Sequence, residues 1–303
     1  MSNTIETQRL CFEYNSHQIL NNIDLQIPSG AIYGYLGKNG AGKSTTIRLL
    51  LGLLQPSSGS ISFFGKDLKT SRTDILARIG NLIENPTYYP YFSAYENLKY
   101  LALCRKCSEK DIADVMHLVG LSRTGNKKLK FFSMGMKQRL GIAIALLHSP
   151  DILILDEPLN GLDAEGIYEM RELLILLQNQ GKTIFLSSHI LSEIEKVCSH
   201  VGILDNGIIR FQGRINELLK HIDNQVIVTI NDPQRAVDLC IQNSFGVNEM
   251  KNNSLVINIK DDREHSELIK LLCNGGVDIF SVKPVDASLE TVFLNLTKKI
   301  ANE

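Results

Sequence analysis

An α/β fold with a mixed central sheet is predicted by three features of the 303-residue sequence. Short continuous apolar runs, AIYGYLG (31–37), ILILD (152–156), TIFLS (183–187) and VGILD (201–205), have the character of parallel strands covered on both faces. The first of them runs straight into a glycine-rich turn and a helical pattern that opens near Lys43. Beyond residue 220 the chain restarts with its own alternation of strand and helix patterns, about 80 residues long, which is the size of a small domain. The expected organisation is one domain over 1–220 and an accessory α+β domain over 221–303.

Taken in order, residues 3–27 alternate polar and apolar positions around a turn at Asn15–His17. They predict an antiparallel β subdomain that SISFFG (60–65) joins. From about 72 to 150 the pattern is helical: ENLKYLALCRK (96–106) and EKDIADVMHLVGL (109–121) carry apolar residues at three- and four-residue spacing. This predicts a helical subdomain inserted into the βαβ core. MRELLILLQNQ (170–180) is a helix between two core strands. In the last part VIVTI (226–230), SLVINI (254–259) and VDIFSV (277–282) read as strands, and 263–274 and 288–299 as helices.

The balance of 32 basic and 33 acidic residues, net charge −1, argues against a nucleic-acid partner and against a polybasic membrane anchor. MSNTIETQRLCFEYN lacks the basic and apolar regions of a secretory signal, so an intracellular chain is expected. The most apolar stretches, 47–54 and 140–156, are too short or too interrupted to span a bilayer, which needs about 20 apolar residues. Six scattered cysteines fit a reducing compartment. Only CRKC (104–107) has ligand-like spacing, and with no second pair to complete a tetrahedral site its cysteines read as ordinary helix residues.

The chemistry concentrates in two motifs. GKNGAGKST (37–45) matches the phosphate-binding loop GxxxxGK[ST], in the required place between a strand and a helix. Gly37, Gly40 and Gly42 let backbone amides approach a polyphosphate, with Lys38, Asn39 and Ala41 completing the loop. Lys43 would set its charge at the β- and γ-phosphates, and Ser44, followed by Thr45, would offer its hydroxyl to Mg²⁺. About 110 residues later ILILDE (152–157) ends a buried strand in two acids. Asp156 can hold Mg²⁺ through water, and Glu157 can polarise an attacking water.

Between these motifs, FSMGMKQ (132–138) with Arg139 and a small-apolar helix resembles the LSGGQ-type signature of the ATP-binding cassette (ABC) ATPases. PLNGLD (158–163) resembles the family's D-loop, with Asp163 its acid, and LSSH (186–189) its switch histidine. The resemblance covers residues 3 to about 220 and implies a P-loop NTPase fold of the ABC type. It implies that Ser133, Met134, Gly135, Met136 and Gln138 close over ATP held by another subunit. Met134 and Met136 stand where the signature has glycine and glutamine, a departure that bears on turnover rather than on ATP binding. The resemblance also assigns Tyr14 to adenine stacking, with an edge-strand tyrosine as the alternative. It assigns His189 to the γ-phosphate.

In LIENPTYYP (82–90) the acid Glu84 stands where most ABC ATPases have a glutamine that touches Mg²⁺ and the lytic water. This variant, in IENPTYYPYFSAYENL, resembles the ATP-binding subunits of bacitracin-resistance and lantibiotic-immunity exporters. So does the ending DASLETVFLNLTKK (286–299). Tyr88, Tyr89, Tyr91, Phe92 and Tyr95 then read as a groove for a permease helix, or in part as packing of the helical insertion. The function implied is an ATP-hydrolysing homodimeric subunit, using ATP and Mg²⁺. It would sit on the cytoplasmic side of the membrane and drive peptide-antibiotic export through separate transmembrane permease subunits. A non-transport ABC ATPase or a low-turnover regulatory module is the alternative.

Overall fold

The computed structural model describes residues 3–83, 88–220, 225–251, 253–259, 261–285 and 288–298. The chain divides into two compact units, Met1–Arg214 and Ile215–Glu303.

The first unit opens with a hairpin of β1 (Asn3–Tyr14) and β2 (His17–Ile23). Asn15 and Ser16 between them take φ of 48° and 62°, the paired left-handed conformation that suits a two-residue hairpin turn. β3 (Gln26–Pro28) pairs with β1, and the sheet continues from β1 through β5 (Ser58–Phe63) to β6 (Lys66–Asp67). This is the expected antiparallel subdomain.

The central sheet has six strands: β4 (Ile32–Gly37), β7 (Ile79–Leu82), β8 (Ile152–Leu155), β9 (Thr183–Ser188), β10 (His200–Asp205) and β11 (Ile208–Arg214). Their order is β11-β10-β4-β9-β8-β7, parallel except for the edge strand β11. β4, β8 and β9 are buried at every residue, which is why they read as continuous apolar runs rather than alternating ones. Registers Leu36↔Ser188, Leu155↔Leu186 and Leu82↔Leu155 bring the carboxyl ends of four strands to one edge. In parallel α/β sheets that edge is where ligands bind.

Helices α1 (Lys43–Leu50) and α2 (Arg72–Leu76) precede β7, which therefore lies inside the stretch 72–150 that the pattern alone assigns to helix. Four residues are too few to display a period of their own within a longer stretch that reads as helical. The helical subdomain holds α3 (Ala94–Arg105), α4 (Glu109–Leu118) and the start of α5 (Met134–Leu146). Reciprocal capping boxes, Ser93 with Glu96 and Ser108 with Asp111, set the starts of α3 and α4. α6 (Ala164–Asn179) and α7 (Leu191–Val197) complete the unit.

The second unit begins with α8 (Ile215–Lys220). It continues through β12 (Gln225–Ile230), α9 (Pro233–Gln242), β13 (Val247–Lys251) and β14 (Ser254–Asn258) to α10 (Asp262–Asn274), β15 (Ile279–Pro284) and α11 (Leu289–Lys298). The sheet order β13-β14-β12-β15, all antiparallel, is the β-α-β-β-α-β arrangement of ferredoxin-like folds. Val226, Val228 and Ile230 share one face of β12 and bury it with Leu255 and Ile257 against Ala236 and Cys240 of α9 and Leu268 and Leu272 of α10. The sequence expectation omitted α9 and β13. Asp232 as an N-cap with Pro233 in the first turn was a usable signal for α9.

Candidate nucleotide site

β4 delivers the loop 38–42 to the carboxyl edge, and α1 starts at Lys43. Lys38, Asn39 and Gly40 are exposed, Ala41, Gly42 and Lys43 are buried, and Ser44 and Thr45 are half-buried, so the loop presents its backbone at the surface over a buried cation. Gly42 has φ of +111°, and a Cβ at Gly37 would lie 2.6 Å from the Leu204 carbonyl oxygen, so side chains at these positions would strain or displace the loop. Lys43 is 7% exposed, and its Nζ donates to the carbonyls of Gly37 at 2.8 Å and Lys38 at 3.4 Å. Burial pushes its pKa below the ordinary lysine value, while the charges of Glu157 and Asp156 pull it back up. A buried ammonium held by its own loop's carbonyls beneath a helix N-terminus fits a polyphosphate, which would bring it opposite charge.

The acids follow β8. Asp156 is buried; Ser187 at the end of β9 donates to its Oδ1 at 2.5 Å and accepts from the Glu157 amide at 3.0 Å. Asp156 also donates its amide to the Leu82 carbonyl at 2.7 Å, tying it to the end of β7. Glu157 sits at φ of 50°, a left-handed conformation uncommon outside glycine, asparagine and aspartate. It thereby turns away from the strand. Its Oε2 lies 2.8 Å from His189 Nδ1 and its Oε1 3.9 Å from Lys43 Nζ. The structure thus gathers Lys43, Asp156, Glu157 and His189 at one edge. Ser187, with no chemistry obvious from sequence, is the hydroxyl that orders both acids.

The signature residues lie at the start of α5. Ser133 is its N-cap and accepts from the Met136 amide at 3.3 Å. Met134 is 47% exposed, and its side chain reaches Gly161 closely enough that a Cβ there would lie 3.4 Å from its Cε. Met136 and Gln138 are half-buried, and the Met136 sulfur lies 4.0 Å from Lys127 Nζ. Asp163 is exposed and caps α6 by accepting from the Gly166 amide at 2.9 Å. Arg139 pairs with Glu169, joining α5 to α6.

Tyr14 ends β1 at the hairpin turn and is 65% exposed. Glu84 lies outside the described residues. Of the aromatics that follow it, Tyr89, Tyr91, Phe92 and Tyr95 are exposed, but Tyr88 is half-buried and donates its hydroxyl to the Lys137 carbonyl at 2.6 Å. Tyr88 therefore belongs to packing against α5 rather than to an open groove. The Tyr89 ring packs on Phe92 at 5.1 Å and edge-on to Tyr100 at 5.3 Å. Among the described residues no His, Cys, Asp or Glu cluster forms a metal site, and no helix is long and apolar enough to cross a membrane.

A family model described as ABC transporter matches residues 20–160. The bacitracin transport ATP-binding protein BcrA of Bacillus licheniformis is 40% identical over 300 residues, 98% of this chain and 98% of that protein. This chain belongs to the ABC transporter ATP-binding proteins. Another ABC relative, the lantibiotic transport ATP-binding protein SrtF of Streptococcus pyogenes, is 46% identical over 205 residues, 68% of this chain and 88% of that one. A solved ATP-binding subunit of an ABC transporter superposes with a TM-score of 0.65 at 30% identity, covering 72% of this chain and 92% of its own. Binding and hydrolysis of ATP are the chemistry of this ABC subunit, and the gathered cation, acids and histidine are the groups available for it.

Proposed function

We propose that this ABC ATPase powers export of a peptide antibiotic of the bacitracin or lantibiotic kind, for self-protection or resistance, through separately encoded membrane permeases. The observation that carries the reading is the likeness to a bacitracin transport subunit along 98% of this chain, second unit included. The subunit would work from the cytoplasmic face as a homodimer with ATP between the protomers.

In that dimer the loop 38–42 and Lys43 bind the polyphosphate, and Tyr14 stacks on the base. Mg²⁺ when bound would neutralise charge on the β- and γ-phosphates. Ser44 and Asp156, with Glu84 from outside the described residues, are its proposed ligands. Glu157 orients and deprotonates the attacking water, and His189, 2.8 Å from it, steadies the carboxylate and faces the γ-phosphate. From the other protomer, Ser133 and the α5 N-terminus, with Gly135, Met136 and Gln138, close the site, and Asp163 holds the start of α6 in place beside it. The exposed aromatics Tyr89, Tyr91 and Phe92 form the surface for a permease helix.

The test is capture of the tagged chain from gently solubilised membranes of its host, combined with antibiotic sensitivity of a deletion strain. Stoichiometric polytopic proteins, and bacitracin or lantibiotic sensitivity that the wild-type gene but not Glu157→Gln reverses, are expected. Capture of soluble partners alone would overturn the transport reading.

A further inference from the structure

The segment carrying the exposed aromatics is bonded to the segment leading into the signature helix. The Lys130 amide donates to the Pro90 carbonyl and the Leu129 amide to the Phe92 carbonyl, both at 2.9 Å. Ser93 and Lys128 form an antiparallel bridge, and Lys128 Nζ lies 3.1 Å from the Glu96 carboxylate. Lys130 also sits over the Tyr91 and Phe131 rings, at 4.8 and 4.9 Å.

These bonds fix 90–96 to 128–131, but they stop short of α5. One hydrogen bond that does reach it is the 2.6 Å bond from the Tyr88 hydroxyl to the Lys137 carbonyl, in the first turn of α5. Tyr88 is half-buried and burial raises its pKa, so the hydroxyl keeps the proton it donates. That first turn matters because helix-start amides have no acceptor inside the helix. Ser133 takes the Met136 amide, so those of Met134 and Gly135 are the two that an approaching anion would meet. The Lys137 amide donates to the Ser133 carbonyl at 3.1 Å, so a shift at Lys137 is felt at the cap.

We infer that Tyr88 is a positioning residue, whose bond to Lys137 sets the signature's anion-facing amides relative to the aromatic surface where a membrane partner docks. The inference rests on the transport reading for the partner, but the bond lies within one chain. A push on Tyr89 moves the adjacent Tyr88, and Tyr88 moves the start of α5. The effect is on closure around ATP, not on the loop 38–42 that binds it.

Tyr88→Phe deletes one hydroxyl and keeps the ring in its packing. One neutral hydrogen bond has a net worth near 1 kcal/mol, so kcat for ATP hydrolysis should fall about fivefold. The Kd for a fluorescent ATP analogue and the yield of co-captured membrane protein should not change. A kcat equal to wild type, or a fall matched by loss of nucleotide affinity, overturns the inference. If the wild-type chain captures no membrane protein, the transport reading fails; the kcat and Kd comparison on the chain alone still decides the role of Tyr88.

Discussion

His189 Nδ1 lies 2.8 Å from Glu157 Oε2, joining the residue after β9 to the second residue after β8 across the sheet edge. The same carboxylate faces Lys43 Nζ at 3.9 Å, so one side chain is shared between the cation of the loop and the histidine. Such a shared group makes its neighbours' effects non-additive. Glu157→Gln is expected to bind ATP with wild-type affinity and to lose turnover by at least about 100-fold. His189→Ala should also lower turnover, yet add little in the Glu157→Gln background. Phosphate release and analogue binding on the two single variants and the double variant check this, and an additive double variant would separate the two roles.

Lys43 is buried and its pKa is depressed by that burial, so its charge costs the nucleotide-free fold stability. Lys43→Ala should therefore bind ATP at least about 100-fold more weakly, while unfolding no more easily than wild type without nucleotide. Between the folded-state pKa and 10.5 the unfolded chain binds more protons at this site than the folded one. Stability of the wild type relative to Lys43→Ala should thus rise as pH climbs towards 10.5. Thermal melts across alkaline pH read the sign.

Glu96 has the opposite linkage. The Ser93 amide first, then Lys128 and the Ser93 side chain, lower its carboxyl from 4.5 to about 2. The ionised form is favoured in the fold, so its contribution is complete above pH 4.5 and lost as pH falls to about 2. Glu96→Gln should flatten the acid limb of the stability curve in that window. Helix loss followed by circular dichroism gives the comparison, and identical acid limbs would remove Glu96 from the account.

Met134 occupies the first helical position of α5 and lays its side chain on Gly161. Met134→Gly clears that bulk from the face proposed to close on ATP, and turnover should rise severalfold. The substitution should cost about 0.5–1 kcal/mol through the added backbone freedom of glycine. Unchanged turnover would mean that the methionine does not limit closure.

Much of this molecule is readable along the chain because its chemistry is local. The loop 37–45 states its own geometry through glycine and lysine spacing, and the buried strands announce themselves by lacking alternation. The strand β7 and the pair α9 and β13 escaped that reading: β7 is four residues between helical patterns, and α9 hides its start in a single Asp-Pro pair. The sequence left Tyr88 open between a permease groove and packing of the helical insertion, because tyrosine patterns do not reveal where a hydroxyl ends, and its partner Lys137 lies 49 residues away.

The sequence by itself determined the strand-loop-helix unit at Lys43, the two acids that follow β8 and a second α+β unit. Each of these is written in consecutive residues through spacing, caps and apolar runs. Only the tertiary structure decided that Ser187 orders both Asp156 and Glu157, that Glu157 faces His189 and Lys43 together, and that the second unit closes as β13-β14-β12-β15. Sheet order and register bring strand ends from distant parts of the chain to one edge, and that pairing depends on how whole faces bury against each other rather than on any local pattern.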